Sequence, residues 1–260
     1  MKTNNLHHFS FQLPKNLIHC IFISMLSFCF LPSSVAQTTE QIWLEYRPTY
    51  VFTPKVKLDM RLSFRDEFDD TNWHTWEARF IPVLKLGKGF DVNLGLSFLE
   101  TSQSLVLSTT EVRLAPGVRY NLPRERVELG AWLRVELRWV HDKQESAWNY
   151  TTRPRLRFFA DIPINAKSME GDHFFYASSF VEFFYQDDSD VQERYAQKLW
   201  MRVGLGYKLN QNLRFEVLYT RQDSKNTIQT SFEDLTNENI FVLALRHKLK
   251  TKQKKVPATK

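Results

Sequence analysis

Arginine and glutamate recur in this 260-residue chain at spacings of two, most densely in Leu133-Arg134-Val135-Glu136-Leu137-Arg138 and Arg153-Pro154-Arg155-Leu156-Arg157. A guanidinium presents a planar fork of donors that grips carboxylate or phosphate oxygens two at a time. Spaced this way, such residues either knit a salt-bridge network or line a passage that favours anions. The set comprises Glu45, Arg47, Arg61, Arg65, Glu77, Arg79, Glu111, Arg113, Arg119, Arg134, Glu136, Arg138, Arg153, Arg155, Arg157, Glu182, Arg202, Glu216 and Arg246. Thirteen arginines thus face six glutamates, and adding Asp59 and Asp91 leaves a basic surplus.

Other chemistry has little to stand on. The chain has no G-x-S-x-G, S-x-x-K or H-E-x-x-H string. His141, Ser146 and Asn149 are the one local set that could serve an outer-membrane lipid-modifying enzyme, and such polar loop residues are far more often solvated than catalytic. His74 and Glu77 are three apart, which in a strand places them on opposite faces and makes no metal pair. No catalytic residue, cofactor site or metal site is therefore expected.

The spacing of two also identifies the elements that carry these residues, because side chains alternate faces along a β-strand. Residues 55–66 set Val56, Leu58, Met60, Leu62 and Phe64 against Lys57, Asp59, Arg61, Ser63 and Arg65. Residues 127–140 and 198–209 repeat the pattern, with Trp132 and Trp200 in the polar phase. Similar segments cover about 42–53, 73–86, 89–100, 108–121, 150–162, 173–187, 211–222 and 238–249. These make eleven strands of about ten residues, the length that crosses a bilayer when tilted. Single-chain bacterial barrels usually have even counts, so the expectation is an all-β, antiparallel transmembrane barrel of about 12 strands, with 10 as the alternative.

The connections alternate between tight turns, such as Gly87-Lys88-Gly89, and longer polar loops, such as residues 141–149, as outer-membrane barrels do. Residues 164–172 break that rule with a longer connection where a tight turn is due. The apolar phase is nearly free of charge at strand centres, where an Arg or Lys would cost about 2–4 kcal/mol at the bilayer midplane. Aromatics gather near strand ends, among them Tyr50, Phe52, Trp73, Trp76, Tyr120, Trp139, Trp148, Tyr150, Tyr207 and Tyr219, as interfacial girdles would. The competing architecture is a secreted β-sandwich binding protein, which alternates too but seldom needs ten-residue strands throughout.

Residues 1–36 read as a cleaved signal peptide: Lys2 and Lys15, no acid, an apolar stretch from Leu17 to Leu31, and small residues at Ser34 and Ala36. The barrel then occupies 37–249, and 250–260 form a basic, disordered tail. Cys20 and Cys29 both fall in the leader, which excludes a disulfide framework in the mature chain. The formal charge of +6 is concentrated in the tail and not on a folded patch, so nucleic acid is not an expected partner. Expected partners are outer-membrane lipid, the barrel assembly machinery and small anionic solutes. The place of action is the bacterial outer membrane of a Gram-negative cell.

The strings Leu133–Arg138, Arg153–Phe158, Gly204-Leu205-Gly206-Tyr207 and Arg246-His247-Lys248-Leu249, with Trp43 and Tyr46 at the start, resemble the domain of unknown function 2490. The resemblance spans nearly the whole mature chain. It implies an outer-membrane barrel of the kind found largely in Bacteroidota, and it implies no activity. The functional expectation is a porin-like barrel whose Arg/Glu-lined lumen is structural or forms a narrow anion-favouring channel.

Overall fold

Alternation of apolar and charged residues gives each strand two incompatible faces, and a closed sheet separates them without leaving an unpaired edge. The computed structural model, described here over residues 37–68, 73–103, 108–124, 126–144, 146–185, 196–225 and 235–250, is a closed barrel. Its strands are β1 (Gln37–Val51), β2 (Val56–Glu67), β3 (His74–Gly87), β4 (Phe90–Ser102), β5 (Thr109–Leu122) and β6 (Glu128–Asp142). They continue as β7 (Ala147–Pro163), β8 (Phe174–Phe184), β9 (Ala196–Lys208), β10 (Leu213–Lys225) and β11 (Leu235–Lys250). The leader and residues 251–260 of the basic tail fall outside the described residues, while Lys250 ends β11.

Each of the eleven sequence segments overlaps one strand, and the strand number among the described residues is eleven, not twelve or ten. Consecutive strands pair antiparallel all the way round. The seam does not: β1 and β11 pair in parallel, from Gln37 opposite Thr236 to Val51 opposite Lys250. The sheet is therefore mixed rather than wholly antiparallel. The reason is parity, since in an up-and-down meander of odd strand number the first and last strands run the same way.

Turn chemistry holds the meander. Gly87, Lys88 and Gly89 all have positive φ, at 98°, 52° and 86°, a run that glycine enters without steric cost. A Cβ at Gly89 would also lie 2.2 Å from the Asn121 carbonyl oxygen. The longer connection at residues 164–173 folds against the barrel. Met169 is buried with Phe174 and Tyr176, the buried Lys208 donates from Nζ to the Met169 carbonyl at 2.7 Å, and Phe175 N–H is accepted by Asn165 Oδ1 at 2.7 Å.

Packing follows the two phases. Leu44, Leu62, Phe98, Leu133, Val217 and Leu243 belong to the exposed phase, each with 45–64% of its surface open. The opposite phase is buried and contains both charge and rings. The apolar part is led by Trp43, Phe180, Phe184, Trp200, Leu218, Ile240, Val242 and Ala244.

Candidate functional site

Register decides which charges meet. Arg134 on β6 stands opposite Arg155 on β7, while Glu136 stands opposite Arg153, and Arg157 on β7 stands opposite Glu182 on β8. The like-charged pair is tolerated because carboxylates flank it. Glu182 accepts from Arg134 Nη2 at 2.8 Å, from Arg155 Nε and Nη2 at 3.0 and 2.8 Å, and from Arg157 Nη2 at 2.5 Å. Glu136 accepts from Arg153 Nη2 at 2.8 Å and also from Arg155 Nη1.

The other carboxylates are shared in the same way. Glu111 accepts from Nε of both Arg113 and Arg138 at 2.5 Å. Glu77 pairs with Arg79 at 2.8 Å, with Arg61 at 3.4 Å and with Arg65. Glu216 pairs with Arg47 at 3.0 Å and Arg246 at 2.9 Å and accepts from Tyr176 Oη at 2.8 Å. Glu45 takes Arg47 Nε at 2.5 Å, and Arg246 also reaches Asp161 at 3.5 Å. All six glutamate side chains are almost completely out of solvent. Each therefore depends on its arginines for solvation that water would otherwise give.

Aromatic rings fill the space between the charges. Arg65 lies over Trp43 at 4.2 Å, Arg134 and Arg119 over Trp132 at 4.0 and 4.6 Å, and Arg155 over Phe184 at 4.2 Å. Arg157 and Arg202 share Phe180, at 4.0 and 4.9 Å. Of these rings, the sequence singles out Trp43 for the family resemblance and Trp132 for its phase, but none of them as a partner of the arginines. The available signal was their phase, since Trp132 and Trp200 sit in register with arginines and not with leucines. Trp73 is a correction of the opposite kind, being buried rather than part of an exposed girdle. Trp76, Trp148 and Tyr150 are exposed, each over half open.

The arginines differ in their access. Side chains of Arg79, Arg134, Arg138, Arg153 and Arg155 are at most 7% open, whereas Arg47, Arg61 and Arg157 keep 16–17%. Arg246 keeps more still, 34%. Arg119 is half-buried beside Trp132. Arg202 is buried and donates from Nε to Thr220 Oγ1 at 2.6 Å, with no ion pair among the described residues.

The remaining candidates do not assemble into a reacting group. His141 stacks on Trp148 with centroids 4.9 Å apart, and Ser146 takes a positive φ of 54° in the turn between β6 and β7. His74 is half-buried while Glu77 is buried in the opposite phase. No group of His, Cys, Asp and Glu able to hold a metal occurs among the described residues. What the arrangement can do chemically is hold charge in place and offer guanidinium donors.

The sequence model of the family described as "Protein of unknown function (DUF2490)" matches residues 40–233, from the start of β1 to just before β11. No curated protein matches the chain.

Proposed function

Starting from a chain that belongs to the DUF2490 family, whose description assigns no activity, we propose that it is an outer-membrane barrel whose interior is sealed across its middle by its own side chains. One observation carries the membrane reading: the outer phase of the closed sheet is apolar and open all the way round, from Leu44 and Leu62 to Leu133, Phe158, Phe183 and Leu243. Soluble monomers rarely expose contiguous apolar patches beyond a few hundred Å². Strands of 11–17 residues are long enough to cross a tilted bilayer span.

The structural role of the charged interior is favoured over conduction because the network is desolvated. Glu136, Arg153, Arg155 and Glu182 have at most 2% of each side chain open, and ring-capped arginines leave little room for hydrated ions. The conducting alternative draws on the Arg surplus and on the partial exposure of Arg47, Arg61, Arg157 and Arg246. The leader read at residues 1–36 supports export.

The test is to express the full chain with its leader and fractionate the cells. Recovery in outer membranes, with a folded band that shifts on boiling before electrophoresis, is expected. Recovery as a soluble secreted protein would overturn the membrane reading, while the β-sandwich expected as the competing architecture is already excluded by the closed barrel.

A further inference from the structure

Charges within residues 37–249 nearly cancel, yet they are separated between the two ends of the barrel. Because consecutive strands run antiparallel, the connections 52–55, 88–89, 123–127, 164–173 and 209–212 share one end with the last residues of β11. They carry Lys55, Lys88, Arg124, Arg126 and Lys167 against Glu125, Glu170 and Asp172. The connections at the other end, 68–73, 103–108, 143–146, 185–195 and 226–234, carry nine acids against two bases.

The basic end is itself uneven. Lys167 shares its connection with Glu170 and Asp172, and residues 209–212 have no charge, so the excess lies over the arc from β1 to β6. Lys55, Lys88 and Arg126 are exposed there and make no ion pair among the described residues. Backbone bonds join the successive turns of this arc: Lys85 N–H donates to the Lys55 carbonyl at 2.8 Å, and Asn121 N–H to the Gly89 carbonyl at 2.8 Å. The arc continues past the seam to the exposed Lys248 on β11, after which residues 251–260 add four lysines to the sequence.

Rings mark the depth of this rim. Tyr50 and Phe52 lie with centroids 4.8 Å apart beside the first turn, and Phe90 and Tyr120 lie 4.6 Å apart between the next two. Phe52 and Phe90 are exposed. Aromatic side chains of this kind sit where hydrocarbon gives way to headgroups, so the cations of the adjoining turns reach the level of the lipid phosphates. Basic residues held at that level attract anionic lipid.

We propose that Lys55, Lys88 and Arg126 form a docking arc for the phosphates of anionic phospholipid, in the leaflet that meets the short-turn end. The arc rests on the membrane reading above and goes beyond it by naming the lipid class and the side of the barrel that recruits it.

The experiment places the folded barrel of the full chain in phosphatidylcholine vesicles with a trace of spin-labelled phosphatidylglycerol or, separately, spin-labelled phosphatidylcholine. The fraction of label immobilised at the protein is read by electron paramagnetic resonance at low salt. A preference for phosphatidylglycerol of about fivefold is expected, the equivalent of one cation at an anionic surface. Joint Lys55→Gln, Lys88→Gln and Arg126→Gln should bring it toward parity, and Lys167→Gln, outside the arc, should leave it unchanged. If the triple variant lacks the boil-shifted band, Lys55→Gln alone is read instead, with a smaller loss expected. No preference in the inserted parent, an undiminished preference in the triple variant, or an equal loss on Lys167→Gln overturns the arc alone. Failure of the parent to enter vesicles overturns the membrane reading, and the arc with it.

Discussion

The inner phase of β6 and β7 and that of β10 and β11 fill one interior with opposite chemistry. On β6 and β7 it reads Trp132, Arg134, Glu136 and Arg138 beside Arg153, Arg155 and Arg157; the middle of β10 and β11 reads Leu218 and Thr220 beside Ile240, Val242 and Ala244, with Glu216, Gln222, Ser224, Glu238 and Arg246 in the same phase toward the strand ends. The apolar side packs by contact, and any side chains of fitting volume satisfy it. The charged side packs by geometry, because each carboxylate must lie within reach of two or three fixed forks. A slip of one residue in register would turn those charges toward the outer face. The difference teaches that the charged half specifies register while the apolar half supplies cohesion.

The largest effect should come from the charged half. Glu182→Ala removes the carboxylate shared by Arg134, Arg155 and Arg157, leaving Arg157 without its ion pair and Arg134 and Arg155 with Glu136 alone. Its expected cost is about 3–5 kcal/mol, read as a lowered urea midpoint for the barrel refolded in lipid vesicles. Leu218→Ala, fully within the apolar half, should cost about 2–5 kcal/mol through transfer and cavity terms, without altering the pairing of β10 with β11. A cost of Glu182→Ala below that of Leu218→Ala would invert the comparison.

A third substitution probes the outside. Leu133→Arg places a cation in the open apolar phase of β6 and should cost about 2–4 kcal/mol in vesicles if the residue sits at the membrane midplane. In water-soluble form the same change would be nearly neutral, so equal stability of Leu133→Arg and the parent in vesicles argues against lipid contact there. The smallest effect belongs to the joint replacement of Glu111, Arg113 and Arg138 by Met. Removing a whole buried ionic group for apolar volume is often neutral, so a change within about 1 kcal/mol is expected. Its sharper readout is hydrogen exchange along β5 and β6, which should quicken if those charges fix register.

Most of the strand plan was legible because alternation is a local signal. Lys57 to Arg65 and Gly130 to Arg138 each announce their buried and exposed faces without reference to any other strand. Parity was not legible in that way. Eleven alternating segments are visible in the chain, but that β1 meets β11 in parallel depends on closure, a global property. The candidate site divided similarly. The arginines and glutamates stood out by type, whereas the interior roles of Phe180 and Phe184 were hidden because an aromatic in an alternating strand suits lipid and interior equally. Which carboxylate would be shared and which arginine left over, as Arg202 is, depends on contacts across several strands that spacing alone does not encode.

Planar-bilayer recording tests the sealed interior most directly. Protein whose folded band has been verified by its shift on boiling is inserted, and current is recorded in a salt gradient. The account predicts a silent barrel, with current appearing only when the network is opened, as in Glu182→Ala combined with Arg155→Ala. Discrete anion-selective steps from the unmodified, folded barrel would contradict it and establish the arginines as the wall of a channel.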